Sequence, residues 1–190
     1  MDFDLLSLLH ERGALLEGHF LLTSGKHSDR YIEKFRLLEW PDSLDAVGQA
    51  MAEGISPDEV DVVLGAAVGG ILLAGAVARI LGRRTMFTER VDGAMTLRRG
   101  FALSPDDRVL VVEDIVTTGG SVFELLEVVR AAGATVQSVV CLVDRSEQGI
   151  EFGEPGRILL RLPIATWEPE DCPLCRREIQ LVKPGRSGKR

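Results

Sequence analysis

From Val60 onward the chain alternates uninterrupted apolar runs with stretches of helical period. The runs "VDVVLG", "RTMFTE", "RVLVVED" and "TVQSVVCLVD" read as strands, with "RILLRLPI" as a further one. They lack in-and-out alternation, which marks strands buried on both faces. Between them "GGILLAGAVARILG" and "GSVFELLEVVRAAG" read as helices closed by Gly82 and Gly133. This order predicts an α/β fold with an open, mainly parallel sheet flanked by helices. Ahead of it the spacing predicts an amphipathic helix over about Asp4 to Leu16, divided at Gly13. "GHFLLTSGKHSDRYIEKF" then gives two short strands about a polar turn, and a second helix runs from Asp42, as N-cap, to Gly54. The expected organisation is one domain over 1–190. About 1–55 would form a small N-terminal cap or hood, 56–165 the α/β core, and 166–190 a C-terminal extension with a flexible basic tail.

Composition fits that outline. A chain of 190 residues with 45% hydrophobic residues can bury one core and is short for two. The start, "MDFDLLSLLHERG", opens with acids and breaks its apolar run at His10, unlike a secretory signal. No stretch reaches the roughly 18 uninterrupted apolar residues of a membrane span. The expectation is a soluble, cytoplasmic protein. A net charge of −7 speaks against general nucleic-acid binding, although Arg83, Arg84, Arg90, Arg98 and Arg99 face only Glu89 and Asp92 in one basic segment. Three cysteines, an odd number, do not form a secreted disulfide framework. Cys141 reads as a small core residue. Cys172 and Cys175 make a C-x-x-C, half of a zinc site, and no second pair or nearby His-x-His completes it; the pair reads as a structural turn.

In an open α/β sheet ligands sit at the carboxyl ends of the strands. Three such ends carry unusual chemistry: "GAAVGG" at 65–70, "EDIVTTGGS" at 113–121, and Asp144 with Arg145. The second has the parts of a phosphate cradle. Glycines let backbone N–H groups crowd an anion, Thr117, Thr118 and Ser121 add hydroxyls, and the next helix presents its N-terminus. It is neither a Walker A loop nor a dinucleotide fingerprint, since no G-x-x-x-x-G-K-S/T and no G-x-G occurs. Glu113 and Asp114 just upstream would repel a phosphate, but as acceptor-only groups they suit a vicinal diol, with a divalent ion close by. Donors for a phosphate beside acceptors for a diol describe a ribose 5-phosphate.

"VLVVEDIVTTGGS" closely resembles the 5-phosphoribosyl-1-diphosphate (PRPP) signature of the type I phosphoribosyltransferases: four apolar residues, two acids, two variable residues, then a Thr/Gly/Ser run. The chain is further similar to the orotate phosphoribosyltransferase family in "FLLTSGKHSDRY", "LGAAVGGILLA", the basic loop ending "RRGF", and "DRSEQG", which follow that family's order across about residues 15–150. The resemblance implies that Glu113 and Asp114 hold the ribose hydroxyls and that Ile115, Val116, Thr117, Thr118, Gly119, Gly120 and Ser121 complete the PRPP site. It implies that backbone N–H groups of Ala67, Val68 and Gly69 receive pyrophosphate, although the lysine of several relatives is missing from this loop. Arg145 would contact the orotate carboxylate, with Thr117, Lys26 and Tyr31 beside the base. "TERVDGAMTLRRG" takes the place of a lid that closes over the neighbouring subunit's site, with Arg90 at its basic start and Arg98 and Arg99 in place of absent lysines and a histidine.

The implied reaction joins N1 of orotate to C1 of PRPP with inversion and loss of pyrophosphate, with Mg²⁺ as cofactor held mainly by PRPP, near Glu113 and Asp114. It requires no covalent nucleophile, and the sequence offers no convincing nucleophile and base pair. A lid acting across an interface implies a homodimer with shared active sites, and no nucleic-acid or membrane partner. The alternatives are a phosphoribosyltransferase for a purine or uracil base, which would not need Arg145 as a cation, and an RNA-binding regulator on the same fold, which would need a broader basic face.

Overall fold

The computed structural model describes residues 3–184; the basic end 185–190 lies outside the described residues. A six-stranded sheet has the order β5-β4-β3-β6-β7-β8, built from β3 (Val62–Ala66), β4 (Arg84–Val91), β5 (Ala94–Leu97), β6 (Arg108–Val116), β7 (Thr135–Asp144) and β8 (Gly156–Arg161). All neighbours are parallel except β5, which pairs antiparallel with β4 at the edge. This is the open, mainly parallel sheet that the apolar runs predict. Side chains alternate across it. Leu110 and Val112 of β6 face α3 (Pro41–Ala52) and α4 (Gly69–Leu81), packing with Val47, Leu73 and Val77. Val109 and Val111 face α5 (Gly120–Ala131), packing with Val122, Leu125 and Val129. Each such fully buried side chain contributes roughly 1.5–3 kcal/mol of transfer free energy.

From β3 the chain proceeds to β4 on one side, and from β6 to β7 on the other. The order therefore reverses between β3 and β6, and a crevice opens beyond their carboxyl ends, where doubly wound sheets bind ligands.

The N-terminal part departs from its expected boundaries. Helix α1 covers only Leu5–Glu11, capped by Asp4, because Gly13 turns the chain with φ 59°. Leu15 and Leu16 belong instead to β1 (Leu15–Leu21), which pairs antiparallel with β2 (His27–Ile32). A short α2 (Phe35–Leu38) follows. Trp40 rather than Asp42 is the N-cap of α3; Pro41 occupies the first turn, where its missing N–H costs nothing, and Asp42 sits there as a favourable acid. Strand β9 (Thr166–Trp167) adds to β2 and makes a second, three-stranded sheet. Beyond it α6 (Pro173–Arg176) carries Cys172 and Cys175 onto this sheet. The sequence shows no partners for this pair, but in the fold His19 of β1 and His27 of β2 meet it, side chains distant in sequence that the hairpin brings together.

The basic segment forms the β4–β5 hairpin. Asp92 and Gly93 both take positive φ, 50° and 88°, as a two-residue hairpin turn requires.

Candidate functional site

The crevice holds a cavity of about 900 Å³ between the carboxyl ends of β3, β6 and β7 and the β1–β2 hairpin. Lys26, Tyr31, Lys34, Val68, Gly69, Asp114, Thr117, Thr118 and Arg145 all line it. A smaller one of about 250 Å³ adjoins it, walled by Ile115 to Ser121, Arg90 and Glu124. A separate cleft, about 1090 Å³, lies among α1, α3 and the end of α4 and takes no residue from these strand ends.

At the end of β6 the chain turns through Gly119, whose φ of 78° and lack of a side chain let the loop double back into α5. No side chain caps α5. Among the described residues the N–H groups of Thr118, Gly119 and Gly120 take no backbone acceptor in loop or cap contacts. Open donors at a helix N-terminus, flanked by the hydroxyls of Thr117, Thr118 and Ser121, form an anion cradle.

The two acids upstream separate. Asp114 lies on the face toward α4, buried, in an ion pair with Lys34, and lines the large cavity. Gly69 permits this. A Cβ there would stand 2.9 Å from the carboxyl carbon of Asp114 and 2.9 Å from Lys34 Cε, and nearer still to a carboxylate oxygen. Glu113 alternates to the opposite face, beside Cys141, and is absent from the cavity lining. Its Oε1 accepts the Asp114 N–H at 3.0 Å. Burial, and then the Asp114 charge, push the Glu113 carboxyl up to about 7.

At the end of β3 the loop offers fewer donors than expected. The Ala67 N–H is already given to the Thr88 carbonyl at 2.8 Å, because β4 runs on beside it. Val68, 67% exposed, Gly69 and Gly70 keep N–H groups without such a partner, and α4 starts there without a side-chain cap. The open donors run over 68–70 rather than 67–69.

Arg145 follows β7. The residue is half-buried, its buried Nε has no hydrogen-bond partner, and it forms no ion pair among the described residues. Burial pulls its pKa below the ordinary arginine value. A half-buried cation without an ion-pair partner, lining a cavity, has donors to offer an anionic group. Tyr31 stands on the same wall, its hydroxyl pKa raised by burial and then by Glu33. Lys26 pairs with Glu168 at 3.1 Å.

The hairpin arginines divide. Arg90 comes within 2.7 Å of Glu124 in α5 and stands over the Thr117–Ser121 loop of its own chain. Arg99 is held by both oxygens of Glu89, at 2.9 and 3.0 Å. Arg98 is exposed and unpaired among the described residues. Lys34, beside Asp114, goes unremarked in the sequence: it lies outside every motif and reaches the site only through the turn after β2.

Three acids, Glu33, Asp114 and Glu147, line the cavity, and only Asp114 stands at a strand end, already paired. They form no preassembled cage. A single oxygen donor beside an anion cradle fits Mg²⁺, which prefers one or two carboxylates plus substrate phosphate oxygens.

The phosphoribosyl transferase domain model matches residues 36–152. The chain is 48% identical over 181 residues to the orotate phosphoribosyltransferase of Thermotoga maritima, covering 95% of this chain and 97% of that protein. Among solved structures it resembles the orotate phosphoribosyltransferase of Aeropyrum pernix, with TM-score 0.65 and 30% identity over 83% of this chain and 94% of the other. It also resembles that of Mycobacterium tuberculosis in complex with Fe(III) dicitrate, with TM-score 0.69 and 27% identity over 82% and 95%. With the PRPP-type loop at the end of β6, these similarities place the chain in the phosphoribosyltransferase family, among the orotate phosphoribosyltransferases.

Proposed function

We propose that the protein transfers the 5-phosphoribosyl group of PRPP to orotate, giving orotidine 5′-monophosphate and pyrophosphate in pyrimidine nucleotide synthesis. One observation carries the choice of base: the half-buried Arg145, its buried Nε without a hydrogen-bond partner, across one cavity from the phosphate cradle. A neutral purine or uracil would leave that cation unanswered, whereas the orotate carboxylate meets it with a planar pair of acceptors.

In this reading Thr117 to Ser121 hold the 5-phosphate and Asp114 accepts from the ribose hydroxyls. Glu113 acts from behind, fixing the Asp114 backbone through its hydrogen bond. The N–H groups of Val68, Gly69 and Gly70 receive the pyrophosphate end. Lys34 is released from Asp114 by the incoming diol and supplies positive charge nearby. Lys26 and Tyr31 border the base. Asp114 would help hold Mg²⁺ together with oxygens of PRPP, and the ion would supply neutralisation of the pyrophosphate charge. The chain's own contribution is to hold C1 in line with N1 and to exclude water.

Arg90 serves its own subunit's cradle. Arg98 is the hairpin cation left to reach a neighbouring site in a homodimer, and Arg99 braces the hairpin through Glu89. We place the enzyme in the cytoplasm; among the described residues no helix is long and apolar enough to cross a membrane.

The test is loss of orotate absorbance on mixing protein, orotate, PRPP and Mg²⁺, with adenine, hypoxanthine, xanthine and uracil in parallel. Turnover of orotate alone is expected. Turnover of another base would remove Arg145 from its role, and no turnover with any base would favour an RNA-binding regulator, checked by gel shift.

A further inference from the structure

His19, His27, Cys172 and Cys175 converge at the junction of the three-stranded sheet with the C-terminal segment, away from the strand-end cavity. Their ligand atoms lie within 4.8 Å of one another, and all but Cys175 are buried. His19 Nε2 stands 2.9 Å from His27 Nδ1, 3.4 Å from Cys172 Sγ and 3.7 Å from Cys175 Sγ; Cys175 Sγ stands 3.3 Å from His27 Nδ1. Zinc bond lengths of about 2.0–2.1 Å to nitrogen and about 2.3 Å to sulfur, at tetrahedral angles, put nitrogen about 3.4 Å from nitrogen and about 3.6 Å from sulfur. The observed separations lie close to the edges of that tetrahedron. The compactness fits one ion and not a two-iron cluster, whose histidines and cysteines bind different irons.

The surroundings aim the ligands. Opposite β2, β1 pairs Glu17 with Arg30 but Leu21 with His27, so one extra residue is accommodated between Glu17 and Phe20. Without this bulge His27 would pair with Phe20 and point away from His19; with it, both histidines share a face. His19 Nδ1 lies 2.7 Å from the Ile179 carbonyl, so its N–H is donated there and the Nε2 lone pair faces the cluster. Pro173 opens the turn that brings Cys172 and Cys175 to one side, the usual role of a C-x-x-C in a metal knuckle.

We propose that these four side chains bind one zinc ion. Four protein ligands leave no open position, so the ion is structural and not catalytic. It fastens the C-terminal segment to the β1–β2 hairpin, where Val182 also exchanges backbone hydrogen bonds with His19 and Leu21 at 2.7 and 2.8 Å. That hairpin carries Lys26 and Tyr31 on the cavity wall, so the ion secures one side of the active-site cleft from behind.

The full-length chain, purified from zinc-supplemented cells without chelator or affinity tag, is assayed by elemental analysis and thiol titration. About one zinc per chain is expected, with Cys172 and Cys175 unreactive until a strong chelator is added under denaturing conditions. Exchange into Co²⁺ is expected to give the strong visible bands of a tetrahedral ion and a near-ultraviolet thiolate charge-transfer band. Cys175→Ser and His27→Ala should lose the metal, while Cys141→Ala, at a cysteine outside the cluster, should retain it. Should the ligand variants fold poorly, the cobalt spectrum of the unaltered chain decides alone. A metal content near zero, a cobalt form without thiolate charge transfer, or zinc retained by well-folded Cys175→Ser and His27→Ala chains would each overturn the proposal.

Discussion

Glu113 offers a direct test of how the strand end is built. Its carboxyl lies at the buried end of β6, turned toward the α5 face, and titrates near 7 in the folded chain against 4.5 for an ordinary glutamate. Burial is the first cause and the Asp114 charge the second, while Lys34 and the Asp114 N–H oppose them. The folded chain therefore holds this proton more tightly than the unfolded one. The stability contributed by protonated Glu113 is complete below about pH 4.5 and is lost as pH rises through 7. At about 1.4 kcal/mol per pH unit, the loss reaches roughly 3 kcal/mol by pH 8. Glu113→Gln keeps an acceptor for the Asp114 N–H and cannot ionise. In urea unfolding at pH 5, 6, 7 and 8, the stability of the variant relative to the parent should rise by roughly 2–3 kcal/mol from the lowest to the highest pH. Parallel stability curves for the two chains would refute the reasoning, since they would mean that Glu113 ionises in the fold as easily as in the unfolded chain.

Other substitutions probe the cavity itself. Gly69→Ala should displace the Asp114 carboxylate and lower kcat/KM for PRPP by about two orders of magnitude or more, with a much smaller effect on the orotate dissociation constant. Arg145→Ala should weaken orotate use by a factor on the order of 10²–10³ while PRPP binding, followed by calorimetry, changes little; an equal loss of both would count against its assignment. Lys34→Met removes the charge that holds Glu113 down, so the pH midpoint of the stability loss should move upward, a shift visible in the same urea series. Because Arg90 reaches the cradle of its own chain, mixing Arg90→Ala subunits with Asp114→Asn subunits should restore no activity. Recovery toward about a quarter of the normal rate in a 1:1 mixture, where half of the dimers are mixed and each has one complete site, would show that Arg90 acts across the interface.

The central sheet was legible because its signals are local and redundant. "VLVV" or "VVCLV" can be satisfied only by burial on both faces, and each run ends where glycine, hydroxyl or charged residues begin. The N-terminal region read less well for an equally local reason. Leu15 and Leu16 continue the apolar spacing of α1, and only the left-handed turn at Gly13 separates the helix from β1. The β5 strand is hard to see in the sequence because an edge strand of four residues, half of them exposed, has no apolar run to show. The Asp92-Gly93 pair was its one sign.

The site divides along the same line. Thr117 to Ser121 form one continuous stretch whose composition announces an anion cradle, and they sit together whatever the rest of the chain does. Position along the chain cannot say which groups are already engaged, so Ala67 looked like a donor although the neighbouring strand takes its N–H at Thr88. Nor can it say which face a residue takes once a strand alternates, so Glu113 and Asp114 looked like one device although the sheet sends them to opposite sides. Lys34, His19 and His27 belong to a third kind, side chains whose chemistry exists only because the fold delivers a partner. For Lys34 the partner is Asp114, 80 residues on; for the histidines it is a C-x-x-C about 150 residues away. A metal site split between a hairpin and a distant terminus has no spacing to recognise. What reveals it is a bulge that turns two histidines to one face and a carbonyl that orients one of them, and both are properties of the fold.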